Sequence, residues 1–248
     1  MRRIILGENL DVLAALPAGF ARLAYIDPPF NTGKVQRRRH LSYADDFENF
    51  EDFLLARVER SLRCLTRDAS LFVHLDCREV HYVKVALDRL LGRDKFMNEI
   101  IWAYDYGGRP KSRWPAKHDT ILWYALDPAS YVFNFDAMDR IPYLAPGLVG
   151  PKKAARGKTP TDVWWHTIVP TNSNEKTGYP TQKPLGILNR IVRIHSQPGD
   201  VVLDYFAGSG TTGVAAARQG RGFVLVDANP EAVRIAARRL AEFEPLLE

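Results

Sequence analysis

Val201-Val202-Leu203-Asp204-Tyr205-Phe206-Ala207-Gly208-Ser209-Gly210-Thr211-Thr212-Gly213 is an apolar run, a glycine-rich turn and the opening of an amphipathic stretch. Three apolar residues bounded by turn signals read as a buried strand. Residues 212–218 read as a helix. Strand, glycine loop and helix in that order form the repeating unit of doubly wound sheets. The same alternation extends in both directions. Residues 223–226 read as a strand and 230–243 as a helix. Upstream, residues 3–6, 23–26, 71–75, 100–102 and 120–123 read as strands. Residues 10–16, 50–65, 80–91 and 185–196 read as helices. The pattern predicts an α/β fold: a mostly parallel, doubly wound, Rossmann-like sheet with helices on both faces.

Residues 131–178 break the alternation. They are rich in Pro, Gly, Lys and Thr and show no clear period. A segment that long inside a compact domain is usually functional or an inserted recognition element. The expectation is one catalytic domain over 1–248 carrying an insert at about 131–178. Residues 35–49 form a second irregular segment.

Composition bounds the rest. The 248 residues are 46% hydrophobic and 25% charged, which excludes disorder for the bulk of the chain. No apolar run approaches the roughly 20 residues a membrane helix needs. The start, Met1-Arg2-Arg3-Ile4-Ile5-Leu6-Gly7-Glu8, lacks the sustained apolar stretch and small-residue site of a signal peptide. Two cysteines, Cys64 and Cys77, make no disulfide framework, so a reducing cytoplasm is expected. Both read as packing residues.

The glycine loop carries chemistry. Gly208, Gly210 and Gly213 match G-x-G-x-x-G, which brings backbone and a helix N-terminus close to a ligand. Asp227 ends the next strand, where its carboxylate suits two ribose hydroxyls. A dinucleotide such as NAD is one candidate. Asp204 argues against it, because an anion at the strand's end opposes a pyrophosphate. It suits a cationic cofactor: S-adenosylmethionine carries a ribose, an ammonium and a sulfonium, and no phosphate.

Asp27-Pro28-Pro29-Phe30 is the second constellation. It follows the strand at 23–26, at the carboxyl end where open α/β sheets bind ligands. Two prolines fix the backbone and leave its carbonyls free to accept. Phe30 adds a ring face. A carboxylate, a rigid carbonyl and a ring face together suit a planar base bearing an exocyclic amine. The bland alternative is a Pro-containing turn.

Taken together, in this order, the two constellations resemble the amino-methylating DNA methyltransferases, in particular their circularly permuted β group. Asp27-Pro28-Pro29-Phe30 matches the D-P-P-[YFW] element of adenine-N6 enzymes; cytosine-N4 enzymes commonly carry S-P-P-[YF]. Asn31-Thr32-Gly33-Lys34 after it is also typical. Asp204 to Thr212 matches the group's glycine loop, Thr181-Gln182-Lys183-Pro184 its T-Q-K-P element, and Ser70-Leu71-Phe72-Val73-His74-Leu75-Asp76 a strand motif. Two departures are Tyr205, where Pro is frequent, and Asp227, where Glu is usual.

The resemblance implies that Asp27, Pro28, Pro29 and Phe30 are catalytic. It implies cofactor contacts from Asp27, Lys183, Asp204, Phe206, Gly208, Ser209, Gly210, Thr211, Thr212, Asp227 and Ala228. By the permuted order, Glu8 or Asn9 would lie near the cofactor's adenine ring; an acidic N-cap explains them equally well. S-adenosylmethionine, leaving as S-adenosylhomocysteine, is the implied cofactor. No metal is expected, since no His falls in H-E-x-x-H spacing. Gly157-Lys158-Thr159 resembles the end of a phosphate loop, but position 152 is Lys where the first Gly should stand.

Lys+Arg 34 against Asp+Glu 29 gives a net charge of +5, which alone says little about a polyanionic partner. The distribution says more. Arg37-Arg38-Arg39-His40, preceded by Lys34, is one basic run. Arg109, Lys111, Arg113, Lys117 and His118 form a second, interleaved with Tyr104, Tyr106 and Trp114. Lys152 and Lys153, with Arg156 and Lys158, form a third. All three stretches read as loops. The resemblance makes them phosphate contacts on double-stranded DNA, with the insert reading base edges. It leaves a homodimer and a separate cognate restriction endonuclease open as partners. The alternatives are cytosine-N4 methylation, an RNA or protein-glutamine methyltransferase, and, in another class, an NAD-linked oxidoreductase or a nucleotide-binding module.

Overall fold

The structure is a computed structural model that describes residues 1–31, 34–38, 41–45 and 47–248. Its elements are β1 (Arg2–Leu6), α1 (Asn9–Ala15), β2 (Ala21–Ile26), β3 (Lys34–Arg38), β4 (Leu41–Asp45), α2 (Phe50–Leu62), β5 (Leu65–Leu75), α3 (Val80–Leu91), β6 (Phe96–Ala103), β7 (His118–Ala125), α4 (Pro151–Arg156), β8 (Val163–Trp165), α5 (Leu185–His195), β9 (Val201–Asp204), α6 (Thr211–Arg218), β10 (Gly222–Asp227), α7 (Pro230–Leu240) and β11 (Leu246–Leu247). Nine strands make one sheet in the order β11-β1-β10-β9-β2-β5-β7-β6-β8. From β11 to β5 every pairing is parallel; β7 runs antiparallel to both β5 and β6. The α/β, mostly parallel expectation holds.

Central strands are apolar on both faces because helices cover both. Ile5, Ala24, Ile26, Val224 and Val226 pack into one core with residues of α1, α2 and α3. Their neighbours Ile4, Leu23, Tyr25, Phe223 and Leu225 pack into the other, with α5, α6 and α7. Helix α5 buries Ile187, Leu188, Ile191, Val192 and Ile194, the three-and-four spacing of a single helical face.

Several expectations need correction. Residues 35–49 are not wholly irregular: β3 and β4 pair as an antiparallel hairpin, Lys34 opposite Asp45 and Arg38 opposite Leu41. The first basic run therefore lies partly on a strand. The insert is not featureless either. It contributes α4, and β8 extends the sheet beside β6. Lys152 and Lys153 thus sit on a helix, bracketed by Pro151 at its start and Gly157 at its end. The helix expected through residue 65 stops at Leu62, since Leu65 already opens β5 opposite Ala21. Of the cysteines, Cys64 is buried, and burial pushes its thiol up, but Cys77 is exposed rather than a core packing residue.

The topology locates the site. Strands β9 and β2 lie side by side at the sheet's centre, Ala24 opposite Leu203. Connections leave them in opposite directions across the sheet, so their carboxyl ends open a crevice at a topological switch point. Register then brings Asp27 beside the glycine loop, although 177 positions separate Asp27 from Asp204 in sequence.

Candidate active site

A cavity of about 460 Å³ fills that crevice. It is within the roughly 300–1,000 Å³ usual for small-molecule sites. Its walls include Glu8, Asn9, Asp27, Pro28, Pro29, Phe30, Lys183, Asp204, Phe206, Gly208, Ser209, Thr211, Thr212, Asp227 and Ala228. Gly210 is not among them. It stands at φ +74°, and a Cβ there would lie 2.8 Å from the Cβ of Ala236. A Cβ on Gly213 would come within 2.7 Å of Leu225. These two glycines let α7 and β10 pack tightly, while Gly208 supplies the cavity wall.

The loop is fastened from several sides. The two oxygens of Asp204 accept from the Phe206 N–H at 3.0 Å and the Thr212 hydroxyl at 2.6 Å. Asp227 accepts from the N–H groups of Gly208 at 2.7 Å and Asn229 at 2.8 Å. The Arg239 guanidinium donates to the Ser209 carbonyl at 2.8 Å and the Thr211 hydroxyl at 2.9 Å. Tyr205, where the resembling enzymes often have Pro, is buried and donates to Ser61 on α2. Glu8 holds the N-cap position of α1 but makes no capping bond. Instead it pairs with Arg57, which also donates to Asn9 at 2.6 Å, and Asn9 donates to the Tyr205 carbonyl at 3.0 Å.

The donor set states what kind of ligand fits. Burial pushes Asp204 up to about 7, and the charges of Asp27 and Asp227 push the same way. Burial raises Asp227 too, against the pull of its two N–H partners. These three aspartates share the cavity wall; Lys183 offsets Asp27, while Arg57 is already spent on Glu8 and Asn9, so among the described residues Asp204 and Asp227 face the cavity without a cation of their own. A cationic nucleoside relieves this charge; a pyrophosphate worsens it.

Asp27 pairs with Lys183 at 2.5 Å through one oxygen. Its other oxygen, Oδ1, is buried without a hydrogen-bond partner. The Lys183 ammonium also lies 4.9 Å from the centre of the Phe30 ring. Behind Phe30 runs a buried polar chain. Tyr25 Oη meets His74 Nδ1 at 2.6 Å, His74 Nε2 meets Asp119 at 3.1 Å, and Tyr104 donates to the other Asp119 oxygen at 3.1 Å. The His74 bond holds Asp119 below the usual carboxylate range, although burial pulls it up.

Sequence reading missed several wall residues: Tyr25, Phe53, Arg57 and Tyr179. Phe53 and Arg57 stand four apart on α2, with the guanidinium 3.7 Å from the Phe53 ring centre. That spacing was visible, but Phe53 also fitted the helix's apolar face. Tyr179, closing over Gly208, left no signal.

The basic clusters separate. Arg109, Lys111 and Arg113 are exposed on the loop between β6 and β7. Lys117 is not free: its ammonium donates to the carbonyls of Tyr106 and Gly108, and His118 opens β7, half-buried. Lys152 and Lys153 are exposed on α4. Lys34, Arg37 and Arg38 lie on β3; their side chains, and Arg39 altogether, are outside the described residues. Among the described residues no helix is long and apolar enough to cross a membrane, and no cluster of His, Cys, Asp and Glu could hold a metal.

A sheet whose switch point brings a glycine loop and a rigid Asp-Pro-Pro-Phe turn into one acidic cavity defines a Rossmann-like methyltransferase fold. The chain belongs to the N6/N4 DNA methylase family, whose sequence model matches residues 21–238. It is a DNA methyltransferase of that family. The DNA adenine methyltransferase YhdJ of Escherichia coli (strain K12) is 30% identical over 252 aligned residues, covering 96% of this chain and 82% of that protein. Two solved structures share the fold. The PvuII DNA methyltransferase, cytosine-N4-specific, superposes with a TM-score of 0.71 at 19% identity, covering 95% of this chain and 85% of that one. The M1.HpyAVI–SAM complex gives 0.67 at 22%, covering 97% and 99%.

Proposed function

We propose that this chain methylates the N6 amine of a flipped adenine in double-stranded DNA, using S-adenosylmethionine. The observation that carries the reading is Asp27: one carboxylate oxygen held by Lys183, the other buried and unpartnered in the cavity wall. An exocyclic amine is a poor nucleophile because its lone pair is delocalised into the ring. Asp27 Oδ1 and the Pro28 carbonyl accept its two hydrogens and draw the lone pair out of conjugation. Phe30 offers its ring to the base, and Lys183 must leave that face as the base enters. The cofactor, when bound, supplies a methyl group activated by a sulfonium. Asp204, Asp227 and the glycine loop hold it, and positioning supplies much of the rate. Asp rather than Ser at position 27 supports adenine over cytosine, as does the adenine methyltransferase named among the relatives.

We also place the chain in the permuted β group. In support, the strand before Asp27 comes second in the chain and the glycine loop follows the ninth strand. The proposed organisation is one catalytic unit whose insert, at about 131–178, reads DNA, and the cytoplasm, at the nucleoid, is the proposed location. Expression in a methylation-free host, followed by modification-resolved sequencing, tests the function. N6-methyladenine at one short motif is expected. N4-methylcytosine would overturn the base assignment, and an unmodified genome would overturn the activity.

The first basic run bears on affinity. Neutralising Arg37, Arg38 and Arg39 together is expected to weaken binding to all sequences alike. The slope of log K against log salt should flatten by about 0.9 for each phosphate no longer gripped. An unchanged slope would make the run solvated surface.

A further inference from the structure

The loop between β6 and β7, residues 104–117, has a use that phosphate binding does not exhaust. On this loop Trp114 is 95% exposed. Lone exposed apolar residues are ordinary, but this one has company. Tyr106 on the same loop is 61% exposed, and Trp165, on β8 opposite Ala103 where the loop springs, is 77% exposed. Arg109, Lys111 and Arg113 lie on the same loop within five residues of Trp114 in sequence, and the loop's single acid, Asp105, is paired with Arg109 at 2.6 Å. An indole fully in water within a net positive surface suits a polyanion that also offers flat apolar faces.

The loop is restrained at two prolines and at its base. Pro110 and Pro115 fix its backbone, and Pro115 biases Trp114 towards extended conformation. Tyr104 N–H closes its base on the Lys117 carbonyl at 3.0 Å, and the Lys117 ammonium ties two further carbonyls. Its root is also fixed relative to the site. Tyr104 bonds Asp119, Asp119 bonds His74, and the His74 ring lies 5.9 Å from Phe30. One buried chain thus ties the root of the loop to His74, beside the ring on which the base stacks.

We infer that Trp114 is the wedge of this enzyme, entering the duplex and stacking in the space the target base vacates. The inference rests on the proposed DNA-base activity and deepens it. Extruding a base loses its stacking and pairing. Stacking on an aromatic side chain returns part of that loss. Arg109, Lys111 and Arg113 hold the flanking phosphates while the indole occupies the gap.

The test compares Trp114→Ala and Trp114→Phe with the parent on two duplexes carrying the motif that sequencing identifies. One is fully paired, and in the other the target faces an abasic site and is already unpaired. Single-turnover methylation and the emission of 2-aminopurine at the target position are read. Trp114→Ala should slow transfer on the paired duplex about tenfold or more and lose most of the emission rise, yet stay within about threefold of the parent on the unpaired one. Trp114→Phe should keep most of both, and the salt slope of binding should not change. Equal losses on both duplexes, or none on the paired one, would overturn the wedge. A parent chain that leaves adenine unmethylated would instead overturn the base assignment. The comparison is then repeated at target cytosine, with its own fluorescent analogue, and the same two outcomes decide.

Discussion

Asp27→Asn is expected to lower the rate of methyl transfer about a thousandfold or more, with cofactor affinity changed only a few-fold. The substitution keeps the side chain's size, which matters because of Lys183. That ammonium is buried and its partner is Asp27 Oδ2 at 2.5 Å. Truncation to Ala would leave that ammonium with neither counter-ion nor acceptor and confuse a catalytic loss with a structural one. Asn removes the charge but keeps one oxygen for Lys183; its amide then turns a donor towards the base, so the amine keeps only the Pro28 carbonyl as acceptor. The cofactor pocket, built from Asp204, Asp227 and the glycine loop, keeps its hydrogen bonds. Single-turnover rates, with calorimetric titration of S-adenosylhomocysteine, separate the two effects. A variant with full transfer would remove Asp27 from the chemistry. One that loses cofactor affinity in step with rate would make it a pocket residue only.

What the sequence made legible follows from how each signal is encoded. The central strands are buried on both faces, so they appear as short apolar runs that no surface residue interrupts. The glycine loop and the Asp-Pro-Pro-Phe turn are local patterns in which spacing and chemistry coincide. The hairpin β3–β4 was hidden because Val35-Gln36-Arg37-Arg38 shows no sustained apolar alternation. Helix α4 was hidden by its lysines, although Gly150-Pro151 and Gly157 bracket it in the way Pro-first, Gly-last helices are bracketed. Glycines looked alike in sequence, yet Gly210 and Gly213 serve packing and Gly208 the cavity. Long-range partners had no sequence signature at all. Arg239 clamping Ser209 and Thr211, and Arg57 joining Glu8 to Asn9, arise only once helices are laid against the sheet.

The second large effect is a trade between stability and binding at Asp204. This carboxyl is buried at 2% exposure, and burial pushes it up to about 7, with Asp27 and Asp227 adding their charge. In the unfolded chain it titrates near 3.9. Between about pH 4 and 7 the folded chain therefore holds a proton that the unfolded chain has lost. The stability this carboxyl contributes is whole below about pH 4 and disappears as pH rises through about 7. That is the reverse of an ion-paired aspartate, and it reflects burial beside two other carboxylates. Asp204→Asn cannot ionise, and its amide can still bond Thr212 and the Phe206 N–H. The ligand-free variant should therefore unfold at higher temperature than the parent at pH 8, by at most about 4 kcal/mol in free energy, with the gap closing towards pH 4. Binding should move the other way. S-adenosylhomocysteine carries an ammonium, so its affinity for the parent should rise from pH 6 to pH 8 as Asp204 ionises. The variant should bind about tenfold or more weakly at pH 8 and lose that pH dependence, since a full charge in a buried site is worth more than a dipole. Thermal unfolding and titration calorimetry across the range read both. A variant less stable than the parent at pH 8 would mean that the carboxylate's two hydrogen bonds outweigh its burial. Undiminished affinity would mean that Asp204 shapes the loop without sensing the ligand's charge.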